Sequence, residues 1–131
     1  MKSTRDKISH FYVGRTDYST KYIMPKIGET KQTVKARAQW LRSHIKVDAK
    51  FEVLGYLVLK NVTKAERQLV ESVVRVAMEK YGKNIKNDHF LIRAKVKKYQ
   101  DAQYMAFALV ALCHAMDFCD KMGYKYDLKI N

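Results

Sequence analysis

The sequence predicts an α+β fold, in which a small mixed or antiparallel sheet is flanked by helices. Three observations lead to this prediction. Segments rich in β-branched and aromatic residues interleave with segments whose apolar residues recur every three or four positions. A length of 131 residues suits one hydrophobic core. The composition, with 47% hydrophobic residues, one proline and five glycines, is that of a folded domain.

The first half of the chain is predicted to begin with a hairpin. Residues 8–13 and 22–27 form its strands, and the turn-rich residues 14–20 join them. Pro25 inside the second strand indicates an edge position or a bulge, because proline has no N–H for a ladder. Residues 51–59 are apolar at most positions and are predicted to form a central strand covered on both faces. The first three strands are expected to form a meander.

Three helices are predicted between and after these strands. Thr33 is a plausible N-cap for the first helix, and Thr63-Lys64-Ala65-Glu66 has the form of a capping box at the start of the second. Residues 90–96 form a short last strand. The third helix, residues 101–122 with Gly123 as its C′ residue, is apolar on more than one face. It therefore either packs across the sheet or mediates a homodimer.

The chain is predicted to be one domain with two parts. Residues 1–98 form the core, and residues 99–131 form a C-terminal helical extension packed on it. The longest apolar tract, around residues 104–119, is shorter than the ~20 residues that span a bilayer, and the N-terminus lacks the apolar core of a signal peptide. Cys113 and Cys119 are expected to be buried and reduced. We therefore expect a cytoplasmic protein that does not bind a membrane.

The strongest compositional signal is positive charge. The 26 Lys and Arg residues exceed the 13 Asp and Glu residues by 13, and the pI is about 9.8. Residues 1–50 contain 12 basic and 4 acidic side chains, residues 51–100 contain 11 and 5, and residues 101–131 contain 3 and 4. A basic surface confined to the first hundred residues indicates nucleic acid as the partner. A ribosomal or membrane surface fits the charge alone equally well, as does a basic surface that only confers solubility.

A motif at the end of the second strand points to a chemistry. Lys26-Ile27-Gly28-Glu29-Thr30 is followed, nine residues after its glycine, by Arg37 in the first helix. This pattern resembles the GIY-YIG nuclease superfamily, especially its phage-associated branch, in which the second motif reads Lys-Ile-Gly-x-Thr. Phe11-Tyr12-Val13 stands in place of the first tripeptide, Glu66 opens the second helix, and Asp88-His89-Phe90 looks like the acidic–aromatic pair before the last strand. The resemblance covers about residues 9–93.

The resemblance implies a metal-dependent endonuclease that hydrolyses phosphodiester bonds in DNA on a GIY-YIG-like core. Such a reaction needs a base for water, positive charge near the phosphate and a metal at the leaving oxygen. By resemblance, Tyr12, Arg37 and Glu66 are the catalytic residues, and Glu66 holds one Mg²⁺ or Mn²⁺ ion. Lys26 occupies the position of the family's second tyrosine, where it would act as a base or contact a phosphate.

Each of these residues also has a purely structural interpretation. Tyr12 could pack on a half-buried strand, and Arg37 could be a solvated helix residue or a phosphate anchor without catalysis. Glu66 falls at the N3 position of the capping box, where helix physics already explains a carboxylate. Because Lys26 replaces a tyrosine, the alternative function is a non-catalytic nucleic-acid-binding protein on the same scaffold, including a phage-encoded regulatory protein.

Three further basic residues lie in and near the first helix. Lys31 precedes the helix, and Lys35 and Arg42 lie within it. We expect these side chains to contact the phosphates of the nucleic acid, DNA more than RNA.

Overall fold

The computed structural model describes residues 4–16, 21–86 and 88–131, which form an α+β fold of six antiparallel strands and three α-helices. A 3-10 turn, Lys46–Asp48, follows the first helix. The strands are β1 (Arg5–Thr16), β2 (Tyr22–Thr30), β3 (Glu52–Thr63), β4 (Lys83–Asn84), β5 (Phe90–Arg93) and β6 (Lys125–Ile130), and the helices are α1 (Val34–His44), α2 (Lys64–Met78) and α3 (Lys97–Met122).

The strands lie in the order β4-β5-β2-β1-β3-β6, and every pairing is antiparallel. The predicted meander is therefore wrong, because β3 pairs with β1 and not with β2. The connection through α1 carries the chain across β1, so that β3 pairs with the edge of β1 opposite β2. This order makes β1 central, and the six residues from Ser9 to Gly14 are all buried.

The strand β3 is interior because β6 covers its outer edge. The two strands pair from Gly55 opposite Ile130 to Lys60 opposite Lys125. The predicted elements end with the third helix, so β6 is a strand that the prediction missed. Residues 125–130 read Lys-Tyr-Asp-Leu-Lys-Ile, which alternates polar and apolar side chains as a strand does, so a strand signal was present although five of the six residues are exposed.

Pro25 does not mark an edge strand, because β2 lies between β1 and β5. The strand β5 pairs with Tyr22 and Ile23, and His89 then bridges to Lys26. Pro25 lies in the gap between these pairings, so its missing N–H interrupts the ladder without placing the strand at an edge. Residues 17–20 of the predicted hairpin connection lie outside the described residues.

The predicted helix signals are confirmed. The Thr33 hydroxyl accepts a hydrogen bond from the Ala36 N–H at 3.1 Å, and Thr63 forms the complete capping box that opens α2. Gly123 ends α3 with φ of 74°, in the left-handed region that favours glycine. The helix α3 begins at residue 97, four residues before its predicted start.

Among the described helices, α3 is the one that is long and apolar enough to cross a bilayer by length and composition. The apolar tract predicted from the sequence, residues 104–119, therefore underestimated the length of this helix. Here it packs against α2 and the sheet as a core helix. Cys119 is buried, but Cys113 is exposed, which corrects the expectation that both are buried. The buried residues of α3 are Tyr104, Phe107, Ala108, Ala111, Leu112, Ala115 and Cys119.

The alternation along β1 divides the interior into two clusters. Phe11 and Val13 join the main core with α2 and α3. Tyr12 joins a smaller cluster beneath α1, with Leu41 and Phe51. This division brings Tyr12 next to the helix that carries Arg37.

Candidate functional site

A cavity of about 390 Å³ opens between β1, β2, α1, α2 and the segment before β5. Three of the four predicted catalytic residues, Tyr12, Lys26 and Arg37, line it. Three acidic side chains that were not predicted as site residues, Glu29, Glu71 and Asp88, line it as well, although Glu29 and Asp88 stand in the stretches that carry the resemblance. The cavity therefore combines a phenol, two cationic groups and three carboxyl groups.

Tyr12 occupies its place because Gly28 lies opposite it in the β1–β2 pairing. A Cβ atom on Gly28 would come within 2.2 Å of the Tyr12 hydroxyl oxygen, so any side chain there would displace the ring. This close approach is a physical reason for the glycine of the Lys-Ile-Gly motif. Burial raises the pKa of Tyr12 to about 12, although a hydrogen bond with Arg37 acts in the opposite direction. The phenol therefore keeps its proton at neutral pH.

Arg37 presents a guanidinium that lacks a carboxylate partner among the described residues. Its contacts are the Tyr12 hydroxyl and the ring of Trp40, whose centroid lies 4.6 Å from Cζ. Its Nε is buried and has no hydrogen-bond acceptor within the described part of the chain. A buried donor without an acceptor is costly unless a ligand supplies one. Arg37 is thus suited to bind an anion.

Lys26 belongs to a buried polar group at the floor of the cavity. Its Nζ lies 3.6 Å from Oδ2 of Asp48, and the other oxygen of Asp48 accepts a 2.6 Å hydrogen bond from Nε2 of His89. The side chains of Lys26, Asp48 and His89 are 6%, 0% and 1% exposed. Nδ1 of His89 lies 2.6 Å from the carbonyl oxygen of Lys86, so both ring nitrogens face acceptors.

This burial has a direct effect on Lys26. Desolvation lowers the pKa of its ammonium, and the charge of Arg37 lowers it further, whereas Asp48 raises it. The net direction is downward, so Lys26 loses its proton more readily than an exposed lysine.

Glu71 and Asp88 form a carboxyl pair in the cavity. Burial raises the pKa of Glu71 to about 8, and the hydrogen bond and charge of Asp88 add to the rise. The pKa of Asp88 falls although burial opposes this, because it accepts hydrogen bonds from Glu71 and Asn84 and lies near Arg75. At neutral pH a protonated Glu71 therefore donates to an ionised Asp88, and the pair carries one negative charge.

Glu29 also lines the cavity, but it is already paired. Its Oε2 accepts a 2.5 Å hydrogen bond from Nε of the buried Arg67, which also binds Asp6 at 2.5 Å. This network joins β1, β2 and α2. We assign Glu29 to the support of the cavity wall, since its charge is compensated inside the protein.

Glu66, the predicted metal ligand, lies outside this cavity. Its Oε1 accepts from the Thr63 N–H at 2.9 Å and pairs with Arg5 at 2.7 Å. It lines a separate depression with Tyr124. The capping interpretation accounts for the contact with Thr63, and the structure does not bring Glu66 together with Tyr12 or Arg37.

The three predicted nucleic-acid contacts are exposed but do not line the cavity. Nη1 of Arg42 donates to the Phe51 carbonyl at 3.0 Å, which ties α1 to the start of β3. Lys31 lines another depression beside Arg67. Lys35 is exposed in the first turn of α1.

A sequence signal for Glu71 exists. Arg67, Val70, Val74 and Met78 are the buried residues of α2, and Glu71 lies one turn after Arg67 and about two turns before Met78. It therefore borders the buried stripe, where an acidic residue is unusual. Asp48 had no comparable signal, whereas His89 stands in the Asp88-His89-Phe90 stretch that carries part of the resemblance.

Comparison with known proteins gives no assignment: no protein-family model, curated protein or solved structure matches this chain. The function must be argued from the cavity.

Proposed function

We propose that this protein is a metal-dependent endonuclease of the GIY-YIG type, which hydrolyses phosphodiester bonds in nucleic acid, DNA in the first instance. The observation that carries this proposal is the convergence of Tyr12, Lys26 and Arg37 with the carboxyl pair Glu71–Asp88 in one cavity. These groups match the needs of phosphodiester hydrolysis: an anion site, a proton acceptor and a cation ligand.

Arg37 is proposed to bind the nonbridging oxygens of the scissile phosphate. Its guanidinium lines the cavity and its buried Nε has no acceptor among the described residues. A guanidinium binds a phosphate through two parallel hydrogen bonds and always carries its charge. Tyr12 keeps its proton and is uncharged at neutral pH, so we assign it to holding Arg37 and the phosphate in position.

Lys26 is proposed to accept the proton of the attacking water. Burial lowers its pKa, whereas burial raises the pKa of Tyr12 to about 12, so the amine is the better base of the two near neutral pH. Asp48 and His89 fix the amine at the cavity floor.

The carboxyl pair fits a hard divalent cation. Among residues 4–16, 21–86 and 88–131, no group of three or more His, Cys, Asp or Glu side chains could enclose a metal. Mg²⁺ is instead commonly held by one or two carboxylates together with water and substrate phosphates. Glu71 and Asp88 would hold Mg²⁺ or Mn²⁺, and the ion would stabilise the leaving oxygen. This replaces Glu66 as the ligand in our proposal.

A non-catalytic nucleic-acid-binding protein is the second candidate. The observation that favours it is the internal pairing of the cavity: Lys26 is paired with Asp48, and Glu71 holds a proton that a cation would have to displace. Both candidates use the basic surface and place the protein in a cytoplasm, where cysteines stay reduced.

Incubation of the purified chain with supercoiled plasmid, single-stranded DNA and RNA tests the proposal, with Mg²⁺ or Mn²⁺ against a chelator. Cleavage that requires the metal and is lost in Arg37→Ala supports the nuclease. Binding of the same substrates without cleavage would favour the second candidate. If the protein neither binds nor cleaves any of these substrates, both candidates are excluded.

A further inference from the structure

The rim of the cavity has an aromatic pair that the proposed chemistry does not use. Trp40, the only tryptophan in the chain, is 38% exposed and lines the cavity. The ring of His44, one turn later in α1, stacks on it with centroids 4.6 Å apart and planes 9° apart. Large aromatic rings are usually buried, so an exposed parallel stack beside an anion site suggests a ligand with a flat face.

The pair is held in position before any ligand binds. Nδ1 of His44 lies 2.9 Å from the Trp40 carbonyl, to which it donates. The Arg37 guanidinium lies over the Trp40 ring, 4.6 Å from its centroid. The aromatic pair is therefore linked directly to the residue that we assign to the phosphate.

The charge around the pair favours a polyanion. Residues 31–47 contain five basic side chains and no acidic one. Arg42 and His44, both exposed, lie in the last turn of α1, and Lys46 follows it. Basic grooves in which exposed rings stack on bases are the common device for binding single-stranded nucleic acid.

We propose that Trp40 and His44 form a stacking site for an unpaired nucleobase next to the phosphate bound by Arg37. This inference rests on the proposed function, because it takes the anion in the cavity to be a nucleic-acid phosphate. The stacking site adds to the proposed function the class of substrate, which is a strand with at least one accessible base, such as single-stranded or locally unpaired nucleic acid.

Binding of an oligodeoxythymidine of about twelve nucleotides, within the usual site sizes for single strands, tests the inference. The measurement is made in chelator, so that no cleavage occurs, and is repeated with an oligonucleotide of the same length that has abasic residues throughout. Oligodeoxythymidine should quench the fluorescence of Trp40, whereas the abasic strand should bind more weakly and leave the fluorescence nearly unchanged.

Trp40→Ala should weaken binding of oligodeoxythymidine about tenfold, the size expected for one base–aromatic stack, and should leave affinity for the abasic strand unchanged. Because alanine is a good helix former, Trp40→Ala should leave α1 folded. Trp40→Phe, which keeps an aromatic ring, should lose less affinity than Trp40→Ala. Tyr99→Ala is the matched control, because Tyr99 is also exposed, at 49%, and lies beside a lysine but away from the cavity.

Equal losses for both strands in Trp40→Ala would mean that Trp40 acts only through Arg37, and the stacking site would be wrong. Equal affinities of the wild type for both strands, or no binding of either, would also overturn it. The proposed nuclease activity is judged separately, by metal-dependent cleavage, so each idea can fail without the other.

Discussion

Replacement of Glu71 with glutamine is the most informative perturbation of the cavity, and Glu66→Gln is its matched control. Each substitution removes one carboxylate from α2 and keeps the size of the side chain. Glu71 lines the cavity beside Asp88, whereas Glu66 lies outside it and pairs with Arg5. The two variants separate a carboxylate that acts in the cavity from one that caps a helix.

The environment of Glu71 sets the free-energy cost of ionising its carboxyl group. Burial, with the neighbouring Asp88, raises its pKa from the ordinary 4.5 to about 8. At about 1.4 kcal/mol for each pH unit, ionising Glu71 in the folded protein costs up to roughly 4–5 kcal/mol, a value that already includes the opposing charge of Arg75. Because the folded pKa is the higher one, the stabilisation is complete below pH 4.5 and is lost as the pH rises through about 8.

Denaturant unfolding of the wild type and of Glu71→Gln, from about pH 5 to about pH 9, checks the direction of this pH dependence. The free energy of unfolding of the wild type should fall relative to that of Glu71→Gln across this range, because glutamine has no proton to lose. Saturating Mg²⁺, at about a hundred times its dissociation constant, should restore about 2.7 kcal/mol to the wild type and nothing to Glu71→Gln.

Glu66→Gln should behave like the wild type in cleavage and in its response to Mg²⁺. Glutamine at N3 can still accept from the Thr63 N–H, and the lost pair with Arg5, which is 58% exposed, is worth at most about 1 kcal/mol. Glu71→Gln should abolish cleavage. Cleavage that survives in Glu71→Gln but fails in Glu66→Gln would refute the assignment of the metal to Glu71.

Four further predictions follow from single contacts. Lys26→Arg keeps a positive charge but removes the base, so cleavage should fall about 10²–10⁴-fold with DNA affinity unchanged, and full activity would reduce Lys26 to a phosphate contact. Arg37→Ala should abolish cleavage and reduce the slope of log K against log salt by about 0.9, measured by fluorescence anisotropy. Gly28→Ala places a Cβ 2.2 Å from the Tyr12 hydroxyl and should lower the free energy of unfolding in urea by about 1–3 kcal/mol. The predicted homodimer through α3 would depend on Leu109, which is 46% exposed, so Leu109→Lys should dissociate it in light scattering; a wild-type monomer at micromolar concentration would contradict the dimer.

The sequence by itself determined the features that arise within one element. Thr33 and Thr63 start their helices through hydrogen bonds to residues three positions away, and Gly123 ends α3 through its own φ angle. Short-range contacts of this kind depend on local residue order alone, so the pattern predicts them. The resemblance likewise indicated three of the cavity residues: Lys26 in the motif around Gly28, Arg37 nine residues after that glycine, and Tyr12 in the first strand.

Only the tertiary structure decided which carboxylate faces those residues. Glu66 and Glu71 are both acidic residues of α2, five positions apart, and the twist of the helix sends one to the cap and the other to the cavity. Asp48 and His89 meet across 41 positions, and β6 covers β3 from the far end of the chain. Such contacts depend on how the elements pack, which no local pattern encodes, and they fix the environment of Lys26.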